Sequence, residues 1–74
     1  MSQHGVVLFH TTSAVMRAEK LLVKAGYSIK LVPTPRQFSS DCGIAIRFDW
    51  ECLEGVQSVL TQVTDTDAVR RLET

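Results

Sequence analysis

The chain has 74 residues, which limits it to a single domain, residues 1–74, with a thin hydrophobic core. Apolar residues make up 45% of it, which is typical of a globular domain and excludes a disordered chain. Eight basic and eight acidic side chains give a formal net charge of zero, so the composition offers no basic surface for nucleic acid. The small size favours a carrier, binding or accessory protein over a free-standing enzyme.

Targeting and membrane signals are not found in the sequence. Residues 1–4 are polar and lack the basic start and long apolar region of a secretory signal. The longest continuous apolar run, residues 6–9, is far shorter than a membrane span. We therefore expect a cytoplasmic protein with no membrane partner.

The first two predicted elements are a strand and a helix. Residues 5–10 are rich in β-branched and aromatic side chains and predict a strand. Residues 14–25 carry apolar side chains at spacings of three and four, which predicts a helix that buries Leu22. Residues 11–13 are all candidate N-caps, and Gly26 is placed to end the helix in a left-handed turn.

The middle of the chain predicts two strands joined by a polar loop. Residues 27–32 alternate between polar and apolar side chains, and Pro33 ends that strand. A single helical turn is expected at residues 35–38, with Phe38 directed inward. Residues 43–48 form the third predicted strand, with its isoleucines and phenylalanine on one face.

The last part of the chain predicts a second helix and a final element that is either a strand or a short helix. Asp49 is the expected N-cap of a helix over residues 50–60, which buries Val56 and Leu60. Gly55 inside it weakens the helix by roughly 1 kcal/mol relative to alanine. The pattern of residues 68–72 fits either a strand or a short helix. With a strand there, the order is βαββαβ, which predicts an α+β ferredoxin-like two-layer sandwich whose second sheet face is open to solvent or a partner.

The most informative feature is Cys42, in a polar segment between two predicted strands. Polar surroundings predict an accessible thiol. Arg36 and Arg47 flank it, and a nearby cation favours the nucleophilic thiolate. Gly43 directly after it allows positive φ or close approach of a ligand. These residues predict thiol chemistry at Cys42.

Other roles for this loop remain open. Ser39 and Ser40 would hydrogen-bond a sulfur anion or shape the turn, and turn-shaping is the commoner role. Asp41 opposes a thiolate through its like charge. Arg47 alternates with apolar neighbours and is expected on the open sheet face. If the loop has only these structural roles, Cys42 is an ordinary surface cysteine.

The remaining candidate groups give weaker signals. Cys52 is expected to pack as a small hydrophobe in the second helix, and a resolving thiol is the alternative. A metal site would need His4, His10 and both cysteines to converge, and the spacing has no CxxC or HxxxH element. We therefore predict no metal and no cofactor.

Three segments carry a resemblance to a known family. They are residues 17–26 (RAEKLL followed by AG), residues 31–36 (LVPTPR) and residues 39–48 (SSDCGIAIRF). Together they resemble a small family of selenium/sulfur carrier-like proteins over residues 6–60. The resemblance implies that Cys42 holds sulfur or selenium as a persulfide or perselenide. It also implies two partners: a donor such as a cysteine desulfurase, and an acceptor protein.

A second function class stays open beside the carrier. An open sheet face invites docking or homodimerisation, which suits a non-catalytic interaction or small-molecule-sensing module. In that hypothesis Cys42 and Gly43 only lie near a binding surface.

Overall fold

The computed structural model describes residues 3–38, 42–63 and 66–72. The elements are β1 (His4–Phe9), α1 (Thr12–Lys24), β2 (Ile29–Pro33), β3 (Ile44–Asp49), a 3₁₀ turn (Trp50–Cys52), α2 (Leu53–Leu60) and β4 (Thr66–Leu72). The four strands form one sheet in the order β2-β3-β1-β4, and each neighbouring pair is antiparallel. The predicted α+β architecture is confirmed, and the final element is a strand.

Both ends of α1 follow the sequence signals. The Thr11 hydroxyl accepts a hydrogen bond from the Ala14 N–H at 3.2 Å and caps the first turn. Gly26 ends the helix at φ 93°, and the Tyr27 N–H donates to the Leu22 carbonyl at 3.0 Å. The buried stripe of α1 is Ala14, Val15, Ala18 and Leu22. The predicted extension of the helix and of its buried stripe to residue 25 is wrong, because residue 25 is the exposed C-cap.

Asp49 occupies the predicted N-cap position, but it precedes a 3₁₀ turn and not the α-helix itself. Its side chain makes no cap hydrogen bond and instead lies 3.3 Å from His4 Nε2. The Trp50 N–H donates to the Gln3 carbonyl at 2.9 Å, and the Trp50 ring stacks on Phe48 with centroids 6.0 Å apart. These contacts hold the backbone close to β1, so a 3₁₀ turn precedes α2.

Two glycines lie where a side chain has no room. A Cβ on Gly5 would lie 2.6 Å from Trp50 Cε3 and 2.8 Å from Phe48 Cζ. A Cβ on Gly55 would overlap the Tyr27 phenol. Gly55 therefore lowers the intrinsic stability of α2 in return for contact with an aromatic ring.

Replacing Gly5 with alanine should lower the free energy of unfolding by about 1–3 kcal/mol, because two stacked rings must shift. The matched control is Gly43→Ala, since nothing lies within 4 Å of a Cβ at that position. Urea unfolding midpoints compare the two variants. Equal losses from both would contradict the close approach of Trp50 to Gly5.

The sheet has an apolar cluster on each face. The helix-face cluster contains Val7, Phe9, Ala14, Val15, Ala18, Leu22, Cys42, Ile46, Phe48, Val56, Leu60 and Val63. The predicted core residues Leu22, Val56 and Leu60 all belong to it, so that prediction is confirmed. Both helices cover this face.

The second-face cluster consists of Val6, Leu8 and Ala45, which are 0%, 2% and 0% exposed. Its partly buried neighbours are Val32, Phe38, Ala68 and Leu72. The expectation of an open second face is therefore wrong in part. Phe38, at the end of the turn that follows β2, packs onto this face and covers some of it.

Candidate functional site

Cys42 lies at the end of the sheet where β1 ends and β3 begins. Because β1 and β3 are antiparallel, the chain that leaves Phe9 and the chain that enters Ile44 meet at the same end. Helix α1 starts there, at Thr12. Cys42 Sγ consequently lies 3.9 Å from Thr12 Oγ1, and either group can donate to the other.

The backbone of Cys42 is held by Thr34, at the end of β2. The Thr34 N–H donates to the Gly43 carbonyl at 3.0 Å, and its hydroxyl donates to the Cys42 carbonyl at 2.8 Å. The sequence pattern does not reveal this role of Thr34 and predicts only a helical turn directly after it, at residues 35–38. The hydrogen bond that forms there, from the Phe38 N–H to the Pro35 carbonyl at 3.0 Å, closes a turn rather than a helix.

The thiol is buried. Cys42 is only 5% exposed and belongs to the helix-face cluster, so the predicted accessibility is wrong. The polar composition of the segment does not govern this one side chain, because Cys42 lies two residues before β3 and packs with Ile46 and Phe48 in the helix-face cluster. In the resting protein, Cys42 packs as a small apolar side chain.

The surroundings of the thiol combine this apolar packing with the amino end of a helix. The first N–H groups of a helix have no intrahelical partners and carry a partial positive charge. Such a terminus stabilises an anionic sulfur. Thr12, the first residue of α1, adds a hydroxyl within contact distance. The thiol therefore lies among apolar side chains and beside the Thr12 hydroxyl.

Arg47 and Gly43 are two further residues that the sequence predicts for the site. Arg47 pairs with Val6 and Lys30 across the sheet, which places it on the second face, away from the cluster that contains Cys42. Its predicted place on the sheet face away from the helices is confirmed, while its action on the thiol stays a prediction. Gly43 is exposed and has no positive φ, so the backbone does not require glycine there.

Arg36, Ser39 and Ser40 are the remaining site residues that the sequence predicts. Arg36 is exposed in the turn after β2, and its action on the thiol stays a prediction. Ser39, Ser40 and Asp41 lie outside the described residues.

Cys52 occupies a different environment. It ends the 3₁₀ turn, is partly buried and packs against the helix-face cluster. Cys42 and Cys52 do not form a disulfide. Across residues 3–38, 42–63 and 66–72, no three His, Cys, Asp or Glu side chains converge into a metal-binding group.

These features define a small α+β protein that holds one cysteine at the amino end of its first helix. Residues 4–65 match the model of a family described as "Putative Se/S carrier protein-like", and the chain belongs to this family. The resemblance seen in the sequence is thereby confirmed. No curated protein and no solved structure matches the chain. In the described ranges, neither helix has the length and apolar character needed to cross a bilayer.

Proposed function

We propose that this protein carries a sulfur or selenium atom on Cys42, as a persulfide or perselenide. The observation that carries the proposal is the position of Cys42 Sγ, 3.9 Å from Thr12 Oγ1 at the amino end of α1. Membership of a family named for selenium and sulfur carriers supports it. Both a thiolate and the persulfide anion that replaces it gain from the partial positive charge of this helix end.

Transfer follows the rules of thiol–disulfide exchange. The Cys42 thiolate attacks the outer sulfur of a donor persulfide, and a new S–S bond forms to Cys42. The S–S bond within the donor breaks, and the donor cysteine leaves as a thiolate. An acceptor thiolate then removes the same sulfur from Cys42 in the same manner, so no external oxidant or reductant is consumed.

The burial of Cys42 has a consequence for this exchange. At 5% exposure the sulfur offers little surface for attack by another protein. Loading therefore requires the Cys42 side chain to leave the helix-face cluster, and a return to it afterwards shields the carried atom from small thiols. Slow alkylation of Cys42 in the isolated protein is compatible with this role, so the rate of alkylation is a poor test of it.

The partners would be a donor such as a cysteine desulfurase and an acceptor protein, each binding at the Cys42 end of the sheet. On titration with a donor, amide shifts should change at Thr12, Ser13 and Gly43. Changes confined to the opposite end of the sheet, around Ser28 and Asp49, would contradict this placement.

The test of the function is sulfur loading from cysteine by a cysteine desulfurase, followed by intact mass. The expected result is a gain of one sulfur that is lost on reduction and maps by proteolysis to the peptide containing Cys42. Selenocysteine as the source distinguishes a selenium carrier from a sulfur carrier. A chain that gains no mass under either condition would favour the interaction-module alternative.

Thr12 is proposed as a positioning residue for the sulfur anion. Replacing it with valine keeps the shape and removes the hydroxyl, so the rate of loading should fall about fivefold, which corresponds to ~1 kcal/mol. Thr61→Val is the control, because the Thr61 hydroxyl is exposed and donates to the Ser58 carbonyl of its own helix end at 2.7 Å. Unchanged loading in Thr12→Val would remove this role.

We also infer that the fold is ferredoxin-like and that the protein works in the cytoplasm. The order βαββαβ, the sheet order β2-β3-β1-β4 and the placement of both helices on one face support the first inference. Two cysteines without a disulfide fit a reducing compartment and support the second.

A further inference from the structure

The second face of the sheet carries a row of cations. In the register of the strands, Lys30 on β2 is opposite Arg47 on β3, Arg47 is opposite Val6 on β1, and Val6 is opposite Arg70 on β4. Neighbouring strands are about 4.8 Å apart, so the two arginines lie on the order of 10 Å from each other. Three positive charges thus cross the whole width of one sheet face.

This arrangement opposes folding stability. Like charges directly opposite on neighbouring strands destabilise a sheet, and Lys30 and Arg47 form such a pair. Among the described residues, no carboxylate lies within ion-pair distance of Lys30, Arg47 or Arg70. The three positive charges of the row are therefore available to pair with the negative charges of a partner.

The carboxylates at the borders of this face are already engaged. Asp49 lies 3.3 Å from His4 Nε2, and Asp67 lies 3.8 Å from His10 Nε2. Since the formal net charge of the chain is zero, the basic character of this face comes from how the charges are distributed over the surface. It does not come from an excess of cations in the protein.

Partly exposed apolar side chains lie beside the cations. Val6 and Ala45 beneath the row are 0% exposed, and Val32, Phe38, Ala68 and Leu72 around them are only partly buried. A cavity of about 340 Å³ borders Lys30 and Arg47, and another of about 260 Å³ borders Phe38 and Arg70. The face thus combines positive charges with partly exposed apolar side chains that a ligand can contact.

We propose that the second sheet face binds an acidic polypeptide segment of a partner protein, with its carboxylates on the cation row and its apolar side chains on the partly exposed residues beside the row. A polypeptide fits better than a nucleic acid, because the face has one aromatic ring, Phe38, among its described residues and two carboxylates at its borders. This binding does not depend on sulfur chemistry at Cys42.

The test uses a fluorescent peptide of alternating glutamate and leucine, with fluorescence anisotropy as the readout. We expect binding that weakens as salt is added, and no binding of a lysine–leucine peptide. Lys30→Glu and Arg70→Glu should each weaken binding at least about tenfold. Lys20→Glu, the same charge change on the exposed side of α1, should leave binding unchanged.

Two further measurements make the test specific. Lys30→Glu should not lower the melting temperature, because it replaces a like-charge pair with an opposite-charge pair. Cys42→Ser should bind the peptide as well as the unmodified chain does, so the carrier function and this proposal fail separately. An absence of peptide binding, equal weakening by Lys20→Glu, or tighter binding of a single-stranded oligonucleotide would overturn the proposal.

Discussion

Cys42→Ser should abolish sulfur loading, while Cys52→Ser should load as fully as the unmodified protein. Serine has nearly the size of cysteine but supplies no nucleophilic anion at neutral pH, because the thiolate is the attacking species. Intact mass after incubation with a desulfurase and cysteine measures the difference. The loss should be complete, because in the proposed mechanism Cys42 is the residue that holds the carried sulfur.

The paired cysteine variants also separate a chemical effect from a structural one. Cys42 packs in the helix-face cluster, so a hydroxyl at this position costs about 1–3 kcal/mol of stability. Cys42→Ala avoids the buried hydroxyl and should also fail to load while remaining folded. Full loading of either Cys42 variant, or loading at Cys52 alone, would refute the carrier proposal.

Leu22→Ala should lower the free energy of unfolding by about 2–5 kcal/mol. Leu22 is 0% exposed in the helix-face cluster, between the sheet and α2, so its removal leaves a cavity. A chain of this size has a stability of only about 4–11 kcal/mol. The variant should therefore be partly unfolded at the upper end of this range of losses, as urea unfolding will show.

Val23→Ala is the matched control for that experiment. Val23 is the next residue in α1 but is 59% exposed, so little apolar contact is lost. Alanine also has the higher helix propensity, and the change should stay within about 0.5 kcal/mol of zero. A loss in Leu22→Ala as small as in Val23→Ala would mean that the buried face of α1 is misassigned.

The predicted elements succeeded where the signal is local in the chain. The limits of α1 depend on a capping hydroxyl at Thr11 and a left-handed glycine at Gly26, and both act on residues within one turn. Helix α2 starts later than predicted, because the residues at its predicted start make contacts with residues far away in the chain. Asp49 pairs with His4 and the Trp50 amide bonds Gln3, and neither contact has a signal in the local pattern.

The candidate site likewise combines features that local sequence signals predict with features that depend on distant contacts. The sequence alone identified Cys42, the family and the strand that follows the thiol. It could not show that Thr12, thirty positions away, comes within 3.9 Å of the sulfur, because the antiparallel pairing of β1 and β3 brings the two together. Nor could it show that Arg47 belongs with Lys30 and Arg70, because that grouping depends on strand register.

The sequence by itself determined the α+β class and the apolar stripe of the first helix, and it singled out Cys42 as the candidate for thiol chemistry. Periodicity, caps and turn residues are local properties, and they are sufficient for these conclusions. The tertiary structure alone decided that the thiol is buried and that Phe38 covers part of the second sheet face. It also decided that Gly5 must stay small beside Trp50. Each of these depends on packing between segments distant in the chain, where side-chain surroundings are set by pairing and register and not by neighbouring residues.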